Sequence, residues 1–179
     1  FDDLIIGSPQ GQYYESGNTG INYVLFGKAA GFTPTFDISS MAENEGLRLV
    51  GLTADDILGS AIGSAGDVNN DGFDDLIAGV REASYSGVSY LVLGRASGFP
   101  AMLSSSDDSI GVRLEQELAG QLFGASVSAA GDVNGDGFAD VIVGASSAST
   151  SYVVFGKASD FDADMDMSTL NGSNGFRLE

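Results

Sequence analysis

The sequence predicts an all-β protein built of four-stranded antiparallel β-propeller blades, and three observations carry that prediction. First, the 179-residue chain repeats itself. LGSAIGSAGDV from Leu58 returns as FGASVSAAGDV from Phe123, FDDLIAG from Phe73 as FADVIVG from Phe138, and GLRL from Gly46 as GVRL from Gly111; the intervals 58 to 123, 73 to 138 and 46 to 111 are each 65 residues. Second, each period holds four short runs rich in Val, Ile, Leu and Tyr, bounded by Gly, Ser, Asn and Asp. Third, there are 26 glycines and only three prolines, about twice the usual glycine share of roughly 7%. A four-stranded sheet that must cover its faces by stacking on copies of itself is a propeller blade. A β-sandwich is the competing all-β architecture, but it does not call for a four-strand period.

In chain order, residues 1–57 read as a partial blade holding strands B to D. Its pieces are FDDLIIG (Phe1–Gly7), YVLFGKAAGF (Tyr23–Phe32) and GLRL from Gly46. Residues 58–122 read as a complete blade: strand A is Leu58–Gly66, B is Asp74–Gly79, C is Val88–Gly94 and D is Gly111–Glu115. Residues 123–179 read as another, with A at Phe123–Gly131, B at Ala139–Gly144, C at Thr150–Gly156 and D at Gly175–Glu179. Strands B and C are nearly continuous apolar runs, as expected of strands covered on both faces. The whole amounts to about 2.75 repeats, with the first lacking its opening quarter.

Charge and composition exclude several functions. Asp and Glu number 25 against 7 Lys and Arg, a net charge of −18, which repels phosphate backbones and argues against nucleic-acid binding. Apolar residues reach 43%, too many for a disordered acidic tail. With no Cys there is no disulfide framework or thiolate metal site, and with no His the commonest general base and zinc ligand is absent. No run approaches 18 apolar residues, so no membrane span is expected. There is no phosphate-binding GxxxxGK[ST] loop and no GxSxG nucleophile elbow, and no catalysis is expected in these residues.

Between strands A and B stands an acidic phrase, GDVNNDGFDD from Gly66 and GDVNGDGFAD from Gly131. Counting from Asp67, oxygen side chains fall at positions 1, 3, 5 and 9. A tight bend turns alternate side chains inward, so Asp67, Asn69 and Asp71 converge, Phe73 offers its backbone carbonyl, and Asp75 closes the set, with two oxygens available. Calcium takes six to eight hard oxygens and welcomes carboxylates. The second copy keeps every role as Asp132, Asn134, Asp136, Phe138 and Asp140. Glycine at position 6 permits a sharp turn, and position 4 is Asn70 or Gly135, the residue types that best tolerate a left-handed backbone. The phenylalanine ring at position 7 can point into the core. An EF-hand would need Glu at position 12, which is Ala78 or Val143 here. Magnesium and an Asx-rich hairpin that binds no metal are the alternatives; the hairpin leaves the crowding of three carboxylates without a reason.

Strand A with its Phe-Gly dipeptide, the DxNxDGxxD turn and a closing Gly-Ala-Pro-like turn together resemble the FG-GAP repeat of the integrin α-subunit propeller, a repeat also widespread in bacterial secreted proteins. Phe123-Gly124 matches the first dipeptide, with Leu58-Gly59 in the other blade. The closing turn is Gly144-Ala145-Ser146, Gly79-Val80-Arg81 and Gly7-Ser8-Pro9. The resemblance covers essentially the whole chain. It implies a propeller of about seven blades used in adhesion or ligand binding, with calcium in the A–B turns. It also implies an extracellular setting, secreted or at the cell surface, with a bacterial source expected. On this reading the chain is cut from a longer array whose remaining blades are its partners, and Asp3, the counterpart of Asp75 and Asp140, holds no calcium. Protein or carbohydrate ligands are expected at the B–C loops (Ser8–Gly20, Val80–Gly87 and Ala145–Ser151), with Tyr13, Tyr14, Arg81 and Tyr85 as contact residues. The alternative is an accessory propeller of a larger secreted hydrolase.

Overall fold

A computed structural model describes residues 1–11, 19–51, 57–80, 87–96, 99, 102–104, 111–116, 120–158 and 161–179. Thirteen strands form among them: β1 Leu4–Ser8, β2 Ile21–Leu25, β3 Gly46–Val50, β4 Leu58–Gly66, β5 Asp75–Val80, β6 Val88–Val92, β7 Met102–Ser104, β8 Gly111–Glu115, β9 Phe123–Gly131, β10 Asp140–Ala145, β11 Thr150–Val154, β12 Asp164–Asp166 and β13 Gly175–Leu178. They assemble into three sheets in the orders β1-β2-β3-β7, β12-β8-β6-β5-β4 and β13-β11-β10-β9. Strands A to D are therefore β4, β5, β6 and β8 in one blade, and β9, β10, β11 and β13 in the next. The first blade contributes β1, β2 and β3 as its B, C and D. This is the architecture of a partial β-propeller.

Sequence reading missed two strands, β7 and β12. Each lies between strands C and D of its own blade and pairs in parallel with strand D of the preceding one: Met102 stands opposite Arg48 and Asp164 opposite Arg113. Three residues are too few to show a period, and the partner lies in another repeat, so no local pattern announces them. They sew each sheet to its neighbour by main-chain hydrogen bonds.

The apolar core lies in the two seams where blades face each other. Leu47, Leu49, Leu58, Leu76, Ala78, Val80, Tyr90 and Val92 fill the seam between the first and second blades. Val68, Ile77, Leu91, Val112, Leu114, Phe123, Val141, Val143, Tyr152 and Val154 fill the seam between the second and third. Full burial of such side chains contributes about 1.5–3 kcal/mol each. Every residue of β5 and of β6 is buried. Leu76 and Ala78 face the first blade and Ile77 faces the third, which is why strand B reads as a continuous apolar run.

The glycines of strand A have a steric role. Gly59 and Gly124 take φ values of +91° and +82°, a region closed to most side chains, and the strand bulges beside them. A methyl group on Gly79 would collide with the Gly124 carbonyl, and one on Gly7 with the Gly59 carbonyl. The Phe-Gly or Leu-Gly dipeptide of one blade thus seats directly on the closing-turn glycine of the blade before it, while Phe123 and Leu58 are wholly buried. Among the described residues no helix is long and apolar enough to cross a membrane.

Candidate metal centre

The acidic phrases form the turns joining β4 to β5 and β9 to β10. In the first, Asp67 accepts from Asp71 N at 3.0 Å through Oδ1 and from Gly72 N at 2.9 Å through Oδ2. Asn69 Oδ1 accepts from the same Asp71 N at 3.1 Å, and its amide donates to Asp71 Oδ2 at 2.9 Å. Asp71 Oδ1 accepts from Phe73 N at 2.9 Å. These are Asx-type bonds, in which short polar side chains satisfy the backbone of the bend they sit in. The second turn repeats each one on Asp132, Asn134 and Asp136. It adds a 2.7 Å bond from Gly135 N to Asp132 Oδ1. Positions 1, 3 and 5 therefore converge in both copies.

The backbone obeys the expected stereochemistry. Position 6 is Gly72 at φ +91° or Gly137 at φ +92°, and position 4 is Asn70 at +57° or Gly135 at +77°. Position 12, Ala78 or Val143, lies inside strand B, so the turn is not an EF-hand. The ring at position 7 does not enter the core. Phe73 is exposed and Phe138 half-buried, because its Cβ is held against the glycine ending strand C, Gly94 or Gly156, at the mouth of the seam.

Position 9 has a structural role that sequence reading missed. Asp75 accepts from Val68 N and from Gly94 N, both at 2.7 Å. Asp140 accepts from Val133 N at 2.7 Å and Gly156 N at 2.9 Å. Even in the first blade, Asp3 Oδ1 accepts from Gly27 N at 2.8 Å. This carboxylate ties the turn to the end of strand C. The signal was present in the sequence: Asp3, Asp75 and Asp140 open strand B, and Gly27, Gly94 and Gly156 close strand C, in every copy of the repeat. Burial pushes the Asp75 carboxyl up to about 6; the Gly94 and Val68 amides oppose this, and the charges of Asp71 and Asp67 add to it.

The donor set suits a hard cation. Each turn offers carboxylates at positions 1, 5 and 9 and an amide oxygen at position 3. Among the described residues none of these carboxylates is ion-paired with Lys or Arg. No three acidic side chains among them draw close enough to define a metal position, and the turn's own N–H groups donate to their oxygens. Three carboxylates and one amide oxygen within nine residues are a donor set whose chemistry suits calcium.

The B–C loops lie at the opposite end of strand B from the acidic turns. Only Ala145–Ser151 falls wholly within the described residues. It is a tight hairpin closed by Ala148 N on Ala145 O and by Ser147 N on Gln121 O. Tyr13, Tyr14, Arg81 and Tyr85 lie outside the described residues.

Four-stranded antiparallel blades stacked face to face, each with an acidic turn between its first two strands, define a protein of propeller-blade repeats. More particularly, these are FG-GAP repeats, whose family model matches residues 58–92 and 123–160. The homologues are integrin α subunits. Integrin alpha-4 of Xenopus laevis is 36% identical over 92 residues, covering 49% of this chain and 8% of that protein. Integrin alpha-PS5 of Drosophila melanogaster is 27% identical over 151 residues, covering 84% of this chain and 14% of that protein. Integrin alpha-2 of Bos taurus is 36% identical over 97 residues, covering 49% and 7%. The chain thus spans a small fraction of these relatives. All three are animal proteins, and the expected bacterial source finds no support in them.

Proposed function

We propose that this chain is a calcium-binding, non-enzymatic propeller module that works in extracellular adhesion or ligand binding, one calcium being held in each A–B turn. The observation that carries this reading is the duplicated turn: two copies 65 residues apart, 67 to 132, place the same three oxygen side chains in the same convergent hydrogen-bond pattern. The side chains of Asp67, Asn69, Asp71 and Asp75, with the Phe73 carbonyl, would hold one ion; those of Asp132, Asn134, Asp136 and Asp140, with the Phe138 carbonyl, would hold the other. The ion's role is structural. It replaces several N–H partners and neutralises carboxylates that otherwise repel one another. Ligand contact falls to the B–C ends, away from the ions, with a protein as the favoured partner because the relatives are integrin subunits.

Calorimetric titration tests the metal reading. Calcium should bind with a stoichiometry of two and raise the melting temperature, and chelator should reverse the shift. Absence of heat at millimolar calcium, with no change in melting, would sink it.

A further inference from the structure

Asn134, Asn171 and Asn174 are each followed directly by glycine. In such a pair the glycine nitrogen, with no side chain in its way, is free to reach the asparagine side-chain carbonyl. The fold treats the three pairs differently. At Asn134 both ends of the side-chain amide are held: Oδ1 accepts from Asp136 N at 3.0 Å and Nδ2 donates to Asp136 Oδ2 at 2.8 Å. The attacking nitrogen is held too, Gly135 N donating to Asp132 Oδ1 at 2.7 Å. At Asn174, Oδ1 accepts from Asn171 N at 3.0 Å, Nδ2 donates to Thr169 O at 3.3 Å, and Gly175 is buried.

Asn171 is arranged for reaction. It stands in the turn between the 3-10 turn Met167–Thr169 and β13, and its Oδ1 accepts from Ser173 N at 2.9 Å and from Ser173 Oγ at 2.6 Å. Both donors aim at the oxygen on which negative charge develops when the carbonyl carbon is attacked. Nδ2, the leaving group, has no hydrogen-bond partner among the described residues. Gly172 is exposed, has φ +90°, and a methyl group there would meet nothing within 4 Å; its N donates to Gly175 O at 2.9 Å, the one bond that must open. Stacking of a following blade does not cover this turn. Asp166 caps Met167–Thr169 as Asp37 caps Ile38–Ser40, which aligns Asn171 with Ala42, and residues 42–44 are exposed although the second blade stacks on the first.

We propose that Asn171 is a self-modifying residue, converted by water to aspartate and isoaspartate. Gly172 N gives up its proton and bonds to Asn171 Cγ. The Cγ–Nδ2 bond breaks, Nδ2 leaves as ammonia with that proton, and a succinimide ring remains. Water then opens the ring at either carbonyl. Addition at Cγ restores the ordinary backbone with aspartate; addition at the backbone carbon routes the chain through the side chain as isoaspartate. The turn already has a place for the acid. Asp37 Oδ1 takes the same two bonds from Ser39, from N at 3.0 Å and from Oγ at 2.6 Å, and the Ser39 hydroxyl and amide hold the Asp37 carboxyl below its ordinary value.

The other two pairs are internal controls. The 179-residue chain is held at mildly alkaline pH in chelator, so that the result does not depend on metal. Conversion is followed by peptide mass mapping and by labelling with a protein-isoaspartate methyltransferase. In the folded chain Asn171 should convert several-fold faster than Asn134 and Asn174, with isoaspartate among the products. In urea, where all three are open Asn-Gly pairs, that lead should collapse. Ser173→Ala should slow Asn171 several-fold in the folded chain and leave Asn134 unchanged, and Ser173→Thr, which keeps the hydroxyl, should restore the rate. No lead in the folded chain, a lead of the same size in urea, or a lead untouched by Ser173→Ala each overturns the proposal.

Discussion

The turn from Asp67 to Asp75 and the turn from Asp132 to Asp140 share their internal hydrogen bonds, their positive-φ positions and their closing aspartate. They differ in what lies outside them. The first is clamped onto the next blade through Val68 and the Asp67 and Val68 carbonyls; no blade stacks on the second among the described residues, and Val133 is 50% exposed. Two turns of one shape in two environments show that the shape is local. Short-range Asx bonds and glycine stereochemistry are enough to make it, while burial of its apolar residue is decided by the blade that stacks on it.

The largest effect should come from what the two turns share. Asp140→Ala leaves the part-buried amide of Val133 and the buried amide of Gly156 without their acceptor and should cost about 3 kcal/mol in urea unfolding. Asp75→Ala should match it. Asp3→Ala loses one bond at an exposed site and should cost about 1 kcal/mol or less. Equal losses at all three would break the view that burial sets the cost.

Calcium comes next. At a concentration of 100 Kd each independent site should add about 2.7 kcal/mol, read as a rise in unfolding free energy that chelator removes. Asp71→Ala should weaken only the first site and Asp136→Ala only the second; loss of both ions in either variant would show that the turns are coupled.

The sharpest contrast between the turns follows from their surroundings. Val68→Ala opens a gap inside a packed seam and should cost about 2 kcal/mol. Val133→Ala should stay within about 0.5 kcal/mol. A cost at Val133 equal to that at Val68 would show that it, too, is packed away from solvent.

A last contrast concerns acid. In chelator, Asp75 holds its proton more tightly in the fold, with its carboxyl at about 6 against an ordinary 3.8. Protonation therefore favours folding: the contribution is complete below about pH 4 and is lost as pH rises through about 6. Unfolding free energy of metal-free protein should fall over that window, and Asp75→Asn should flatten the slope. A slope that survives the substitution would mean that another group is responsible.

The amino-acid sequence by itself determined the blade. The 65-residue repeat, the apolar runs and the punctuation by Gly and Asx residues place the A to D strands to within a residue or two, because strand and turn propensities act over neighbouring residues. The same holds for the acidic turn, whose candidate ligands and left-handed positions are all within nine residues of one another. What the tertiary structure decided lies between repeats. The parallel strands β7 and β12 are made by a partner in the preceding blade. Phe73 stays outside because Gly94 holds it at the mouth of a seam. Asp75 and Asp140 serve as anchors as well as candidate ligands because the end of strand C comes to meet them. Val68 and Val133 are the same residue at the same place in the repeat, and only the presence of a next blade makes one core and the other surface.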